Sequence, residues 1–279
     1  MHERHNGLRA AALVGLVAGL ALGTCSTVSA ALAVAAAGLV VATAAWAWWR
    51  GDARALRSMR ARPVGEAEHP LLHRLVRELC RDARQPVPRL WVSPVAAPTA
   101  FAVGRCPRTA SVCVTRGLLA VLDERQLRAV LAHELAHVRA RDTLLGGVAA
   151  ALSSAVLATA ALGWLLPGAD EDEEGGGPVA LLLLLLTPMA ALLLHLGLRR
   201  EREHAADAAA VAATGDAAAL VSALRVLEVG ARALPLPRGA GVRSTAVLMV
   251  TDPLPRRGPA AWLSTHPPVA ERVARVQRL

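Results

Sequence analysis

The sequence predicts a mostly α, polytopic membrane protein, with four membrane-spanning helices joined to a mixed α+β portion on one side of the bilayer. Three observations predict it. The 279-residue chain is 54% hydrophobic with one Phe and no Tyr, and its mean hydropathy is +0.40. Its apolar residues are mainly Ala, Leu and Val in long runs, a composition of membrane helices rather than of one large soluble core. The net charge of +9, carried by arginine, sits beside those runs and reads as membrane-flanking charge rather than as a nucleic-acid surface. The lipid bilayer is therefore an expected partner, and nucleic acid is not.

Residues 1–50 read as an N-terminal hairpin of two spans. From Leu8 to Trp49 the chain is almost continuously apolar, about twice the ~20 residues that cross a bilayer. The polar cluster Gly23-Thr24-Cys25-Ser26-Thr27 falls at its midpoint, so the spans are placed at 8–27 and 30–49. Val28-Ser29-Ala30 also resembles a signal-peptide cleavage site. Hydrophobicity that continues to Trp46, Trp48 and Trp49, followed by Arg50, favours a second span ending in an interfacial aromatic belt.

Residues 51–142 form the first part of the mixed α+β portion. Glu66–Ala83 has helical periodicity, with Leu71, Leu72, Leu75, Val76 and Leu79 on one stripe. Residues 89–92 and 111–114 read as short strands, and 99–104 as extended. Asp123 and Gln126 form a capping-box pattern at the start of a helix that is expected to run on into a third span, 143–167. An acidic, glycine-rich loop at 170–177 leads to a fourth span, 179–198, so that 143–198 is a second transmembrane pair. Residues 199–279 are the second part of the mixed portion, helical at both ends. Arginines flank the first and second pairs on one side and the acidic loop lies on the other, so the positive-inside rule places both termini and both mixed parts in the cytoplasm. The four cysteines, Cys25, Cys80, Cys106 and Cys113, form no CxxC pair and read as reduced.

The chemistry sits in His133-Glu134-Leu135-Ala136-His137, an HExxH motif on the capped helix. A spacing of four brings both imidazoles to one helix face, where they reach a single ion. Such sites usually take three protein ligands plus water, and zinc suits imidazole nitrogen. Glu134 stands beside the first histidine, where it can take a proton from that water. A third ligand is sought after the fourth span, in Arg202-Glu203-His204-Ala205-Ala206-Asp207. Glu203 and Asp207 share a helix face, so Glu203 could ligate while Asp207 accepts a ligand histidine's other N–H. His204 is the rival ligand, pointing about 100° away around the helix.

These residues give the chain a specific resemblance. It resembles the HtpX-like membrane zinc metalloproteases, a gluzincin family that also includes the CAAX prenyl endopeptidases. The similarity rests on Pro98-Thr99-Ala100-Phe101-Ala102-Val103-Gly104, on His133–His137 with Arg141-Asp142, on Arg202-Glu203 with Ala206-Asp207, and on Ser264-Thr265-His266-Pro267-Pro268 with Glu271-Arg272. The resemblance implies a zincin-like α+β protease domain with a small sheet, one Zn2+ per chain, and Glu203 as the third ligand. It implies that Ala100, Phe101, Ala102, Val103 and Gly104 form an edge strand that pairs with substrate backbone. Where the family usually has Asn, this chain has Thr99.

The expected activity is that of a zinc-dependent endopeptidase acting on polypeptides, membrane proteins among them, with Glu134 as general base. The oxyanion needs a further donor; with no Tyr in the chain, His266 and nearby arginines are the candidates, and His266 also suits a structural role before Pro267-Pro268. His195, inside span four, reads as a packing or interfacial residue. The alternatives are a narrow processing protease of the prenyl-peptide type and a non-catalytic zinc-stabilised receptor or scaffold. A retained Glu134 disfavours the scaffold, which would need no such carboxylate.

Overall fold

The computed structural model describes residues 15, 30–144, 200–236, 249–250 and 267–279. The chain forms two compact units, one of Met1–Glu3, Asp52–Leu144 and Leu198–Leu279, the other of Arg4–Gly51 and Leu145–Gly197. The span expected at 8–27, apart from residue 15, lies outside the described residues; so do 179–198, with His195, and all of 143–167 beyond Leu144. The span expected at 30–49 falls within α1 (Ala30–Ser58). Among the described residues no helix is long and apolar enough to cross a membrane. Cys25 and His266 are also outside the described residues.

In the first unit a four-stranded sheet has the order β1 (Arg62–Pro63), β2 (Arg89–Ser93), β4 (Ser111–Thr115), β3 (Ala100–Val103). β2 and β4 run parallel, Leu90 opposite Val112 and Val92 opposite Val114. β3 returns antiparallel to β4, Phe101 opposite Cys113, which leaves β3 at the edge. Strand residues alternate between faces, and both faces here are covered. Leu90, Val92, Ala100, Ala102, Val112 and Val114 point into the main core. Phe101, Val103 and Cys113 point into a smaller one closed by Ala55, Leu56 and Met59 at the end of α1. The strands therefore read as continuous apolar runs rather than as alternating ones.

Helix α2 (Pro70–Asp82) buries Leu72, Leu75, Val76, Leu79 and Cys80, while Leu71, expected on the same stripe, is 37% exposed. The helix begins at Pro70, not at Glu66. Proline lacks an N–H and suits the first helical position, and it pushes His69 (φ −137°, ψ 66°) out of the helical region. A short α3 (Arg116–Val121), not evident in the sequence, follows β4 directly; the Thr115 hydroxyl accepts from Leu118 N–H at 3.1 Å and donates to the Ala97 carbonyl at 2.8 Å.

The motif helix α4 (Glu124–Ala140) packs on β3, α2, α5 (Arg200–Thr214) and α6 (Ala217–Ala233). Its start is the expected capping box: Gln126 N–H donates to Asp123 at 2.8 Å, and Asp123 N–H to the Gln126 side chain at 3.1 Å. Its end corrects an expectation. The helix does not run straight on past residue 141, because Arg141 adopts a left-handed conformation (φ 57°) that terminates it; residues 142–144 then resume helical geometry. The last helix, α7 (Val269–Val276), starts behind Pro268 and packs on α5 and α6.

Candidate metal centre

α4 presents His133 and His137 on one face because they are four residues apart. Leu127, Val130, Leu131, Leu135 and Val138 are buried around them, each worth about 1.5–3 kcal/mol of burial, so the register of the helix is firmly set. The rings meet edge to face at 86° with centroids 4.7 Å apart. Across from them, Glu203 and Asp207 lie one turn apart on α5, where Ala206 and Ala210 are buried and small enough to let the two helices approach.

The ligand atoms of His133, His137 and Glu203 all lie within 4.8 Å of one another. The two Nε2 atoms are 3.2 Å apart; His137 Nε2 is 3.5 Å from Glu203 Oε1 and His133 Nε2 is 3.7 Å from Oε2. An ion bound tetrahedrally with bonds of about 2.0–2.1 Å has ligand–ligand edges of about 3.3–3.4 Å. Three donors already stand near that spacing, and two imidazoles with a carboxylate are a donor set of catalytic zinc sites, so these residues fit such an ion. His204, the rival ligand, is turned away, its Nε2 3.2 Å from Glu271 on α7.

Each histidine is held from behind by an aspartate. Asp207 lies 2.9 Å from His133 Nδ1, and Asp142 lies 3.0 Å from His137 Nδ1. Behind each aspartate stands an arginine. Arg272 donates to Asp207 through Nε at 2.8 Å and Nη2 at 2.6 Å; Arg202 Nε is 3.5 Å from Asp142. Burial disfavours charge on Asp207, but hydrogen bonds from Arg272 and His133 outweigh it and hold the carboxyl well below the usual carboxylate range. Burial pushes the His133 pKa down despite Asp207. A neutral His133 that donates its Nδ1–H in a hydrogen bond to Asp207 turns the Nε2 lone pair toward the cluster. For His137, burial is outweighed by the hydrogen bond to Asp142 and the charges of Glu203, Asp142 and Glu134, which push its pKa up to about 9. Without a metal, a proton on His137 takes part of the place of the cation.

Glu134 is buried (2% exposed). Its charge acts on His137 and on the Cys113 thiol of β4, which burial and Glu134 push up to about 12. Glu134 is thus a buried carboxylate next to the His133–His137–Glu203 donor set.

Residues 66–279 match the sequence profile of Peptidase family M48. The chain belongs to peptidase family M48. Three similar proteins each bear the name Protease HtpX homolog. The one from Kineococcus radiotolerans is 46% identical over 100% of this chain and 98% of its own length. That from Arthrobacter sp. is 40% identical over 99% and 97%, and that from Bifidobacterium longum 36% over 100% and 94%. This M48 peptidase is thus an HtpX-like metalloendopeptidase, and its substrates are polypeptides.

Of the residues predicted for the M48 site, the structure brings His133, His137, Glu203 and Asp207 together, with Glu134 beside them. Ala100–Val103 form the edge strand β3, and Gly104 (φ 147°) turns the chain away from it. A Cβ at Gly104 would stand 2.6 Å from Ala110 Cα, so glycine is required there. The free side of β3 is partly taken: Phe101 bridges Met249 antiparallel, and Val250 N–H donates to the Ala100 carbonyl at 3.2 Å. Thr99, in the place of the family's Asn, is buried and tied by its backbone to Thr115. Sequence reasoning gave no role to Asp142 and Arg202, and Arg272 entered only among the arginines near His266 considered for the oxyanion. Each stood inside a quoted motif, and an acidic residue shortly after the second histidine was the available signal for Asp142.

Proposed function

We propose that this chain is a membrane-embedded, zinc-dependent endopeptidase that cleaves membrane and misfolded proteins, with its site on the cytoplasmic side. The observation that carries the reading is the His133–His137–Glu203 cluster at metal-ligand spacing with the buried Glu134 adjoining it on the same helix. His133, His137 and Glu203 would hold one zinc ion, which when bound supplies a Lewis acid that activates water and polarises the scissile carbonyl. Glu134 takes the proton of the attacking water and delivers it to the leaving amine. Asp207 and Asp142 fix the imidazole tautomers through their Nδ1 contacts. β3 with Gly104 offers backbone groups for an extended substrate, and His266 contributes at the oxyanion. Four spans at 8–27, 30–49, 143–167 and 179–198 anchor the protease parts 51–142 and 199–279. The membrane reading rests on the apolar runs and their arginine flanks. Connectivity supports a site near the bilayer surface, because the ligand segments adjoin the third and fourth runs directly.

The test is proteolysis of casein by the full chain in detergent, with metal content measured on the same sample. Wild type is expected to carry about one zinc and to cleave, and a chelator to stop cleavage. Glu134→Gln is expected to keep the metal and lose at least about 10²-fold in rate. Folded wild type without bound metal would sink the assignment, and undiminished cleavage by Glu134→Gln would remove the base from its role.

A further inference from the structure

We propose that Arg272 is a positioning residue that sets the strength and geometry of metal binding by fixing Asp207 and Glu203 together. The inference rests on the metal-centre reading above. Arg272 lies on α7, far from the ligand helices in sequence, yet it is 1% exposed and heads the largest fully buried side chains among the described residues. A charge is kept there only when paired and hydrogen-bonded. Its fork meets Asp207 with two bonds, Nε at 2.8 Å and Nη2 at 2.6 Å. Nη1 donates to the Val250 carbonyl at 2.5 Å and lies 3.4 Å from Glu203 Oε2.

These contacts determine what the aspartate can do. Asp207 Oδ1 faces both Arg272 Nη2 and His133 Nδ1, which are 3.5 Å from each other. Two N–H groups cannot bond one another, so the carboxylate between them is the shared acceptor and its plane is set by the arginine fork. A fixed Asp207 fixes the His133 ring, and Nη1 biases which way Glu203 turns. The Val250 carbonyl anchors the fork on its far side, and Val250 N–H in turn holds Ala100 of β3. One guanidinium thus ties the ligands to the strand that borders the site. Lysine, a point donor without the fork, keeps the charge but cannot satisfy Asp207 twice while also reaching Val250 and Glu203.

The experiment uses the full chain in detergent, freed of metal and titrated with Co2+ in competition with a chelator. Arg272→Lys and Arg272→Gln are read in parallel, so that one variant that fails to fold by circular dichroism leaves the other. The expected result is metal affinity 10–100-fold weaker, the range typical of groups that orient a ligand from behind, with an altered cobalt d–d absorption band. Asp207→Asn combined with Arg272→Lys is expected to lose less affinity than the two single losses combined, because the arginine acts in part through the aspartate. A folded variant with wild-type cobalt affinity and spectrum overturns the proposal, as does a double variant whose losses add. Wild type that takes up no cobalt overturns the metal-centre reading itself, which separates the two failures.

Discussion

Asp142→Asn is predicted to change how metal binding depends on pH more than how tightly the site binds at neutrality. Asp142 does two opposing things through the same 3.0 Å contact with His137 Nδ1. It makes His137 a better ligand, and it also helps push the His137 pKa up to about 9 from an ordinary 6.5. Metal must displace that proton. At pH 7 the proton weakens apparent affinity about 100-fold, two decades below a pKa of about 9. Wild-type affinity should therefore rise about tenfold per pH unit from 6.5 to 9 and then level. In the metal-free protein the sign is reversed: the raised pKa stabilises the fold fully below pH 6.5, and that contribution is lost as pH rises through about 9. Asparagine removes the hydrogen bond and one of the charges that hold His137 protonated, while Glu203 and Glu134 remain, so the variant should level off at a lower pH than wild type. At pH 9.5 it should bind 10–100-fold more weakly than wild type, the usual loss for a partner behind a ligand. At pH 7 the two should agree within about tenfold, because relief from the proton offsets the poorer ligand. Competition with a fluorescent zinc chelator between pH 6.5 and 9.5 measures both curves. A variant weaker by one constant factor at every pH would refute the reasoning.

Gly117→Ala tests close packing against propensity. In an exposed helix the change would stabilise by about 0.5–1 kcal/mol, but a Cβ at Gly117 would stand 1.9 Å from the Ala96 carbonyl oxygen. Overpacking on backbone costs about 1–3 kcal/mol, so a lower melting temperature is expected, and a higher one would show that the 95–97 loop yields freely. The thiols should separate in a labelling experiment with iodoacetamide at pH 8, read by mass spectrometry. Cys106, whose pKa is lowered chiefly by the Thr109 hydroxyl, should react first. Cys113, pushed up to about 12 and fully buried, has about one thiolate in 10⁴ at that pH and should react only on unfolding. Equal rates in folded protein would contradict the buried placement of Cys113 against Glu134.

Much of the fold was legible where local chemistry decides it. The Asp123–Gln126 capping box needs only four residues, and it forms as expected. Strands at 89–92 and 111–114 could be read from short apolar runs carrying valine and tryptophan, but their parallel pairing could not, since nothing in 94–110 reveals that β3 inserts at the edge rather than between them. β1 is two residues long, and one of them is a proline that can sit only at an edge. α3 escaped notice because its reason is tertiary: the Thr115 hydroxyl caps it while holding Ala97 and Thr99 across the loop.

The site divides along the same line. His133, Glu134 and His137 are a spacing on one helix, and Glu203 and Asp207 a spacing on another, so periodicity exposes both. Asp142 is different. Continued helix would place it about 140° around the axis from His137, five residues on at 100° each, and the two could not meet. They meet because Arg141 enters the left-handed region and ends the helix, a conformation few residues other than glycine adopt readily and that costs about 1–2 kcal/mol. That strain sits beside the ligand set, where such strain tends to persist only if the surroundings over-determine it. The surroundings here are identifiable: Arg141 N–H closes onto the Val138 carbonyl at 3.2 Å, and Asp142 is received by His137 and Arg202. The break that spoiled the expectation of a helix running straight on is therefore the device that supplies His137 with its partner. Arg272 brings Asp207 the same service from α7, a helix that no reading of α4 or α5 alone could have connected to the ligands.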